Sequence, residues 1–518
     1  MQQQVAAWTP LGTVAERDSD GKWQLRISRV TGQLLAIQCR CNHVFFHGAR
    51  GRGSTEAQLM AYRRYVGAGY GSHWRGVVFD REYKNLDDLV AKSHRLFNGR
   101  NDGATFLASR SDYKWRWPTG EELLIRQIKK ESDYWLYHGQ EFPFIGWNEL
   151  PKYPTPTLYD AMGSCNRSGF TSTEHYARTG VLLPSIPLAT FSTGNPFGPG
   201  HTWVKKRFID VAEAGQIVKT TTLVFNPQTQ QREPVTTSQV AIFGSWRENE
   251  HLDPMYVAGL ERMTDKDKQK AWRDGNWDIL GGGSYAVGDL WKKSVHVRPR
   301  FRVPVGCRVY RALDWGTTKP FSVGWWMKAN GEEIKLLDGT VWCPQPGSLV
   351  RIAEWYGSED IGGNIGLRMT GGAAGRGIKE REQALLANGW IASPVWAGPA
   401  DNNIFSTGDN LAADSIAKQM EAECVTFTRA NKSPGSRKLG LDLIRTRLEN
   451  SLRGEGPGLY YTDNCRAAIA LNPTLPRDDE KPDEVDTECE DHLHDEERYM
   501  VLDSGALLST DIEIQFAR

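Results

Sequence analysis

The chain carries no net charge: 63 lysines and arginines balance 63 aspartates and glutamates. Its surface as a whole does not attract polyanions, so any nucleic-acid contact must come from local basic patches. Lys205-Lys206-Arg207 and the stretch from Arg298 to Arg302 are candidates, each weighed against an ordinary solvated face. Recurring Cys-x-x-Cys pairs are missing as well. The eight cysteines are scattered, and Cys39-Arg40-Cys41 with His43 lacks the further ligands of a zinc site, so reduced thiols are expected. No run approaches a membrane span, and the N-terminus lacks a positive-then-apolar leader pattern. A cytoplasmic protein without membrane contact is the expectation. Internal repeats are absent too.

What is present suits more than one domain. A length of 518 residues exceeds one ordinary core, and 39% hydrophobic with 24% charged residues is a globular balance. The 19 tryptophans are expected mostly in packed cores. In the first half, apolar runs alternate with helical patterns. Val44–Phe46, Trp74–Phe79, Phe142–Gly146 and Leu188–Ser192 read as strands, with Glu56–Val66 and Leu86–Phe97 as helices. Such alternation predicts a parallel sheet covered on both faces. Helical segments follow at Met255–Met263 and Asp265–Trp272, and Gly281-Gly282-Gly283-Ser284 supplies the clearest break. The second half opens with Arg308–Leu313, Phe321–Met327 and Glu333–Trp342 as a three-strand meander, then helices at Gly377–Asn388 and Ser436–Leu452. The expected division is 1–245, 246–285 as a small lid and linker, and 286–518.

Two constellations carry chemistry. Gly48-Ala49-Arg50-Gly51-Arg52-Gly53-Ser54-Thr55 joins a strand to a helix. Glycines let backbone N–H groups face phosphate, and the helix adds its positive N-terminus. Thr55 could reach a magnesium ion, but Ser54 stands where such loops carry lysine. Arg50 or Arg52 is the replacement cation the sequence offers, though a guanidinium fork is not equivalent to an ammonium. Phe144-Ile145-Gly146-Trp147-Asn148-Glu149 is a short strand ending in Asn-Glu rather than Asp-Glu. Glu149 would polarise the attacking water, and Asn148 would hold the magnesium shell without the usual charge. A turn-rich loop, Thr193–Gly200, could sense the γ-phosphate.

Separated acids form the second constellation: Asp314 in Ala-Leu-Asp-Trp-Gly, Asp401 in Pro-Ala-Asp-Asn, and Asp491 with Asp495 in Glu-Asp-His-Leu-His-Asp-Glu-Glu-Arg-Tyr. Two-metal cleavage needs carboxylates from distant positions converging on ions about 4 Å apart. Asp491 and Asp495 share a helix face. Most of the acidic run from Asp478 to Glu497 is expected to be solvated, and His492 and His494 to be exposed helix histidines.

In this order, the glycine loop, His138–Glu149, Thr193–Gly200 with Trp203–Phe208, Trp277–Gly281, Ala312–Gly316 and Glu490–Tyr499 resemble the large terminase subunit of tailed double-stranded DNA bacteriophages. The resemblance spans nearly the full length. It implies an α/β fold: an ASCE-type P-loop ATPase domain with a small lid, joined to a ribonuclease-H-like endonuclease. It implies ATP with Mg2+ at the loop, Arg50 as a cis-acting finger, Thr55 on magnesium, Glu149 as catalytic glutamate, and Thr193 with Asn195 as coupling motif. It further implies Asp314, Asp401, Asp491 and Asp495 as ligands of two Mg2+ or Mn2+ ions. The implied partners are double-stranded DNA, a portal protein, a small terminase subunit and further copies in a ring of five; a monomer in solution is compatible. The implied setting is the host bacterial cytoplasm, transiently on the procapsid and not in the mature virion. The alternative is a metal-dependent nuclease whose degenerate P-loop domain binds nucleotide only as a regulatory or structural module, a reading that Ser54 and Asn148 favour.

Overall fold

The computed structural model describes residues 9–17, 19, 23–100, 102–109, 113–227, 229–264, 266–278, 285–407, 414–478, 481, 483–487 and 489–515. The chain divides into two compact units, Met1–Ile279 and Leu280–Arg518. The break expected at Gly281–Ser284 lies outside the described residues.

The first unit is built on a nine-stranded sheet. Its central strands run parallel in the order Gln231–Gly244, His43–Gly48, Ala189–Gly194, Phe144–Trp147, Arg75–Asp80, Glu122–Gln127. Val218–Asn226 closes one edge, and Lys114–Arg116 with Thr105–Leu107 the other, all antiparallel. The central strands are apolar on both faces because both are covered. Phe46, Val78 and Phe144 pack with Leu59, Tyr62 and Leu86 on one side. Phe45, Val77 and Ile145 pack with Trp147, Phe208 and Trp277 on the other. One strand, Ala189–Gly194, separates the strand that feeds the glycine loop from the strand Phe144–Trp147 that leads to Glu149. That order is the one an ASCE-type sheet requires.

In this unit the strands read from sequence are present, and others escaped the reading. The hairpin Val218–Asn226 with Gln231–Gly244 is exposed over most of its length, so it shows no one-sided apolar alternation to read. Helices Pro254–Glu261 and Lys266–Asp274 belong to the first compact unit, which runs on to Ile279.

The second unit holds a seven-stranded sheet in the order Val297–Arg298, Leu459–Thr462, Leu349–Tyr356, Ser322–Lys328, Arg308–Asp314, Trp396–Ala400, Thr428–Arg429. Arg308–Asp314, Ser322–Lys328 and Leu349–Tyr356 form the antiparallel meander, and Trp396–Ala400 runs parallel beside the first of these. Counted along the chain from Arg308, the core order is 3-2-1-4-5, a ribonuclease-H-like arrangement. The third meander strand is not the expected Glu333–Trp342. That stretch makes a separate ribbon, Ile334–Lys335 with Val341–Trp342, turning at Gly339. Leu349–Tyr356 takes the place, its charged Arg351 fully buried by a partner far away in sequence. Helix Gly371–Ala387 packs on one face of the sheet through Ala374 and Ile378. Helices Ser436–Arg453 and His492–Gln515 pack on the other through Leu441, Ile444, Leu493 and Met500.

Candidate functional site

In the first unit, strand His43–Gly48 runs into the loop Ala49–Gly53, and helix Ser54–Arg63 begins directly after it. Gly53 adopts a left-handed conformation at the helix start, where a Cβ would lie 2.2 Å from the Gln33 amide nitrogen. Gln33 donates to the Gly53 carbonyl at 2.9 Å and accepts the Leu11 N–H at 2.8 Å, a role no local pattern advertised. Thr55 is buried in the first turn. The Asn249 amide donates to the Gly51 carbonyl at 2.7 Å, and the Arg50 N–H donates to the Trp272 carbonyl at 2.8 Å. The Arg50 guanidinium stacks on the Trp272 ring, and burial pushes its pKa down while Glu149 pulls it up.

Arg52 does not face outward as a substitute for the absent lysine. It is 1% exposed. Its terminal nitrogens donate to the carbonyls of Phe46 at 3.1 Å, Ala49 at 2.8 Å and Gly194 at 2.9 Å, and to the side-chain oxygen of Asn195. Burial lowers its pKa to about 10. The Asn195 amide nitrogen in turn lies 3.2 and 3.3 Å from the two Glu149 carboxylate oxygens. The Glu149 N–H donates to the Thr193 hydroxyl at 3.0 Å. This contact helps hold Glu149 at φ 55°, a left-handed conformation costing on the order of 1–3 kcal/mol for a non-glycine residue.

Asn148 is engaged elsewhere than on the loop. Its amide donates at 2.7 Å to Asp80, the buried last residue of the neighbouring strand. Lys152 approaches the same carboxylate at 3.0 Å. The acid missing at position 148 thus has a neighbour at position 80, already neutralised by a lysine. The apolar run Val77-Val78-Phe79 ending in Asp80 was the signal that could have found it.

In the second unit, the acids meet at one end of the sheet. Asp314 ends strand Arg308–Asp314, and Asp401 follows the parallel strand Trp396–Ala400. The Asp401 N–H donates to the Leu313 carbonyl at 3.0 Å, which sets the two acids side by side. Asp491 precedes helix His492–Gln515, and Asp495 lies in its first turn. The Tyr499 hydroxyl reaches Asp314 at 3.1 Å and Asp495 at 3.4 Å. His492 Nδ1 lies 2.7 Å from the second Asp314 oxygen, Lys432 Nζ 2.6 Å from Asp401, and Arg498 3.0 Å from Asp495.

The titration of these groups follows from crowding. Burial raises the Asp314 carboxyl, with Asp495 and Asp401 pushing the same way and His492 opposing. Burial and then Asp495 lift Asp491 to about 7. Burial would raise Asp495 too, yet Arg498 and His494 hold it below its ordinary range. Oxygen donors of this kind suit Mg2+ or Mn2+. Among the described residues no three His, Cys, Asp or Glu side chains are grouped closely enough to hold one ion. The donor chemistry fits a hard cation, and Lys432, Arg498 and His492 each contact a carboxylate oxygen of the set.

The acidic run is exposed or half-exposed at Asp478, Asp483, Glu484 and Asp486, but from Glu490 onward it is not a solvated face. Glu490, Asp491, Glu496 and Glu497 are buried, as is His494, and His492 is paired with Asp314 rather than exposed. Each buried glutamate has a distant partner: Tyr356 donates to Glu490 at 2.7 Å, Trp326 to Glu496 at 2.6 Å, and Tyr461 to Glu497 at 2.7 Å. Of the basic patches, Lys205 pairs with Asp210 and Asp278, and Arg207 with Asp160. Arg298 and Arg300 instead stack on Trp342 and Trp390, and among the described residues neither they nor Arg302 meets a carboxylate.

No family model matches this chain, and a search of curated proteins finds no match. Among solved structures, the chain is similar to the large terminase of a thermophilic bacteriophage in complex with ADP, at 13% identity, covering 91% of this chain and 98% of that one, with a TM-score of 0.36. It is similar to the HK97 bacteriophage large terminase at 10% identity over 91% of this chain and 93% of that one, with a TM-score of 0.40. The P22 large terminase nuclease domain aligns at 15% identity with 42% of this chain and 96% of its own length, with a TM-score of 0.27.

Proposed function

We propose that this chain is a phage DNA-packaging motor of the large-terminase kind, hydrolysing ATP in its first unit and cutting double-stranded DNA in its second. The observation that carries the reading is one chain holding both a glycine loop with Glu149 fixed one strand away and four convergent acids at a sheet end. ATP is the substrate of the first site. Loop amides and the start of helix Ser54–Arg63 would receive its phosphates, and Glu149 would orient and deprotonate the attacking water. Thr55 would hold magnesium, which when bound neutralises phosphate charge. In the second unit, Asp314, Asp401, Asp491 and Asp495 would hold metal ions that stabilise the attacking and leaving oxygens. The portal, a small subunit and a ring of five copies belong to the same proposal.

A second reading has its own support. Arg52 spends its terminal donors inside the fold, which leaves Arg50 as the loop's cation and favours a nuclease with a nucleotide-binding module that does not turn over. Steady-state ATP hydrolysis by the whole chain, with and without double-stranded DNA and beside Glu149→Gln, separates the two. Turnover lost in the variant supports the motor. Metal-dependent cutting without any turnover, even with DNA present, supports the module.

A further inference from the structure

We propose that Arg52 is a positioning residue that fixes the amide of Asn195, and through it the carboxylate of Glu149, relative to the glycine loop. The inference rests on the reading of the first unit as an ATP hydrolase.

The argument begins with donor and acceptor inventory. A guanidinium only donates, so the Asn195 atom facing Arg52 must be the carbonyl oxygen. The amide nitrogen is then obliged to face Glu149, where it lies 3.2 and 3.3 Å from the two oxygens. With the amide turned over, its oxygen would oppose the carboxylate and its NH2 would oppose the guanidinium. Both contacts would be repulsive, so Arg52 removes the usual two-fold choice of an asparagine side chain.

The remaining donors of Arg52 explain why the arrangement also senses the loop. They hold the Phe46 carbonyl in the strand before the loop, the Ala49 carbonyl within it, and the Gly194 carbonyl immediately before Asn195. A shift of the Ala49 peptide as phosphate enters or leaves is therefore felt by the group that orients Asn195. No acid pairs directly with Arg52 among the described residues; the nearest carboxylate it acts on is Glu149, reached through one amide. A cation that lies two positions before Ser54 and turns inward thus serves the water-activating side of the site rather than the phosphates.

The test measures ATP turnover and binding of a fluorescent N-methylanthraniloyl ATP by the full chain, for wild type, Arg52→Gln, Asn195→Asp and the double variant. Asn195→Asp keeps an acceptor for Arg52 but puts a carboxylate against Glu149. It should lower kcat by about 10-fold or more with nucleotide affinity changed less than about 3-fold, and without loss of melting temperature. Arg52→Gln should lower kcat similarly, and the double variant should be no worse than the poorer single one, as expected when two residues act in series. Arg52→Lys stands in if Arg52→Gln does not fold. Weakened nucleotide binding with kcat intact would mean that Arg52 serves the phosphates, and the proposal falls. It falls equally if the two losses multiply independently or if Asn195→Asp turns over at the wild-type rate. A wild-type chain that cuts DNA and never hydrolyses ATP would instead overturn the hydrolase reading itself, and with it this one.

Discussion

The two units treat charge in opposite ways. At the glycine loop, a buried arginine and one asparagine amide stand between the backbone and a single carboxylate. At the other site, four acids crowd together and borrow Lys432, Arg498 and His492 to remain tolerable. The first site is short of cations for a polyphosphate, and the second is oversupplied with acids for anything but a cation. A site short of charge has to act through orientation, whereas a site with excess charge acts through what it attracts.

The contrast can be broken most sharply at Asp314. Asp314→Asn should remove metal-dependent plasmid cutting by about 10³-fold or more, since metal-borne stabilisation is worth several kcal/mol, while ATP turnover stays unchanged. Cutting at the wild-type rate would show that the acids are not the nuclease. Glu149→Gln is the reciprocal experiment: turnover should fall about 10²–10⁴-fold with cutting retained. A shared loss would mean that the two chemistries are not separable. Next in size is a change of stability confined to one unit. Arg351 is fully buried against Glu496 with Ser322 alongside, so Arg351→Met should cost about 3–5 kcal/mol. Calorimetry should show the second unit's transition moving down and the first unit's staying in place. The smallest effect is expected from Ser54→Lys, which adds the missing ammonium at the loop. Nucleotide binding should tighten by about 10-fold, the lower range for a charge-assisted hydrogen bond. No tightening would indicate that Arg50 already fills that position.

What could be read from the chain beforehand was whatever is local. The strand–loop–helix around Gly48–Thr55 and the acid at the end of Arg308–Asp314 announce themselves within a dozen residues. The parallel sheet followed from apolar runs covered on both faces. What stayed hidden depends on partners more than a hundred residues away. Arg351 and Glu496 look like surface residues until each is seen to neutralise the other, and that misled both the third meander strand and the acidic run. Arg52 looked like a phosphate ligand because it lies in the glycine loop. Only the carbonyl of Gly194 and the side chain of Asn195, brought beside it by the adjacent strand, turn it inward. Asp80 and Lys152, 72 residues apart, likewise meet only once neighbouring strands are paired.

The hydroxyl of Tyr499 stands between Asp314 at 3.1 Å and Asp495 at 3.4 Å. A phenol carries one hydrogen, so it can satisfy only one of the two oxygens at a time. When Asp314 has it, the facing Asp495 oxygen meets a lone pair instead of a donor. Two carboxylates thus compete for a single phenolic hydrogen, and a positive centre arriving between them would end that competition.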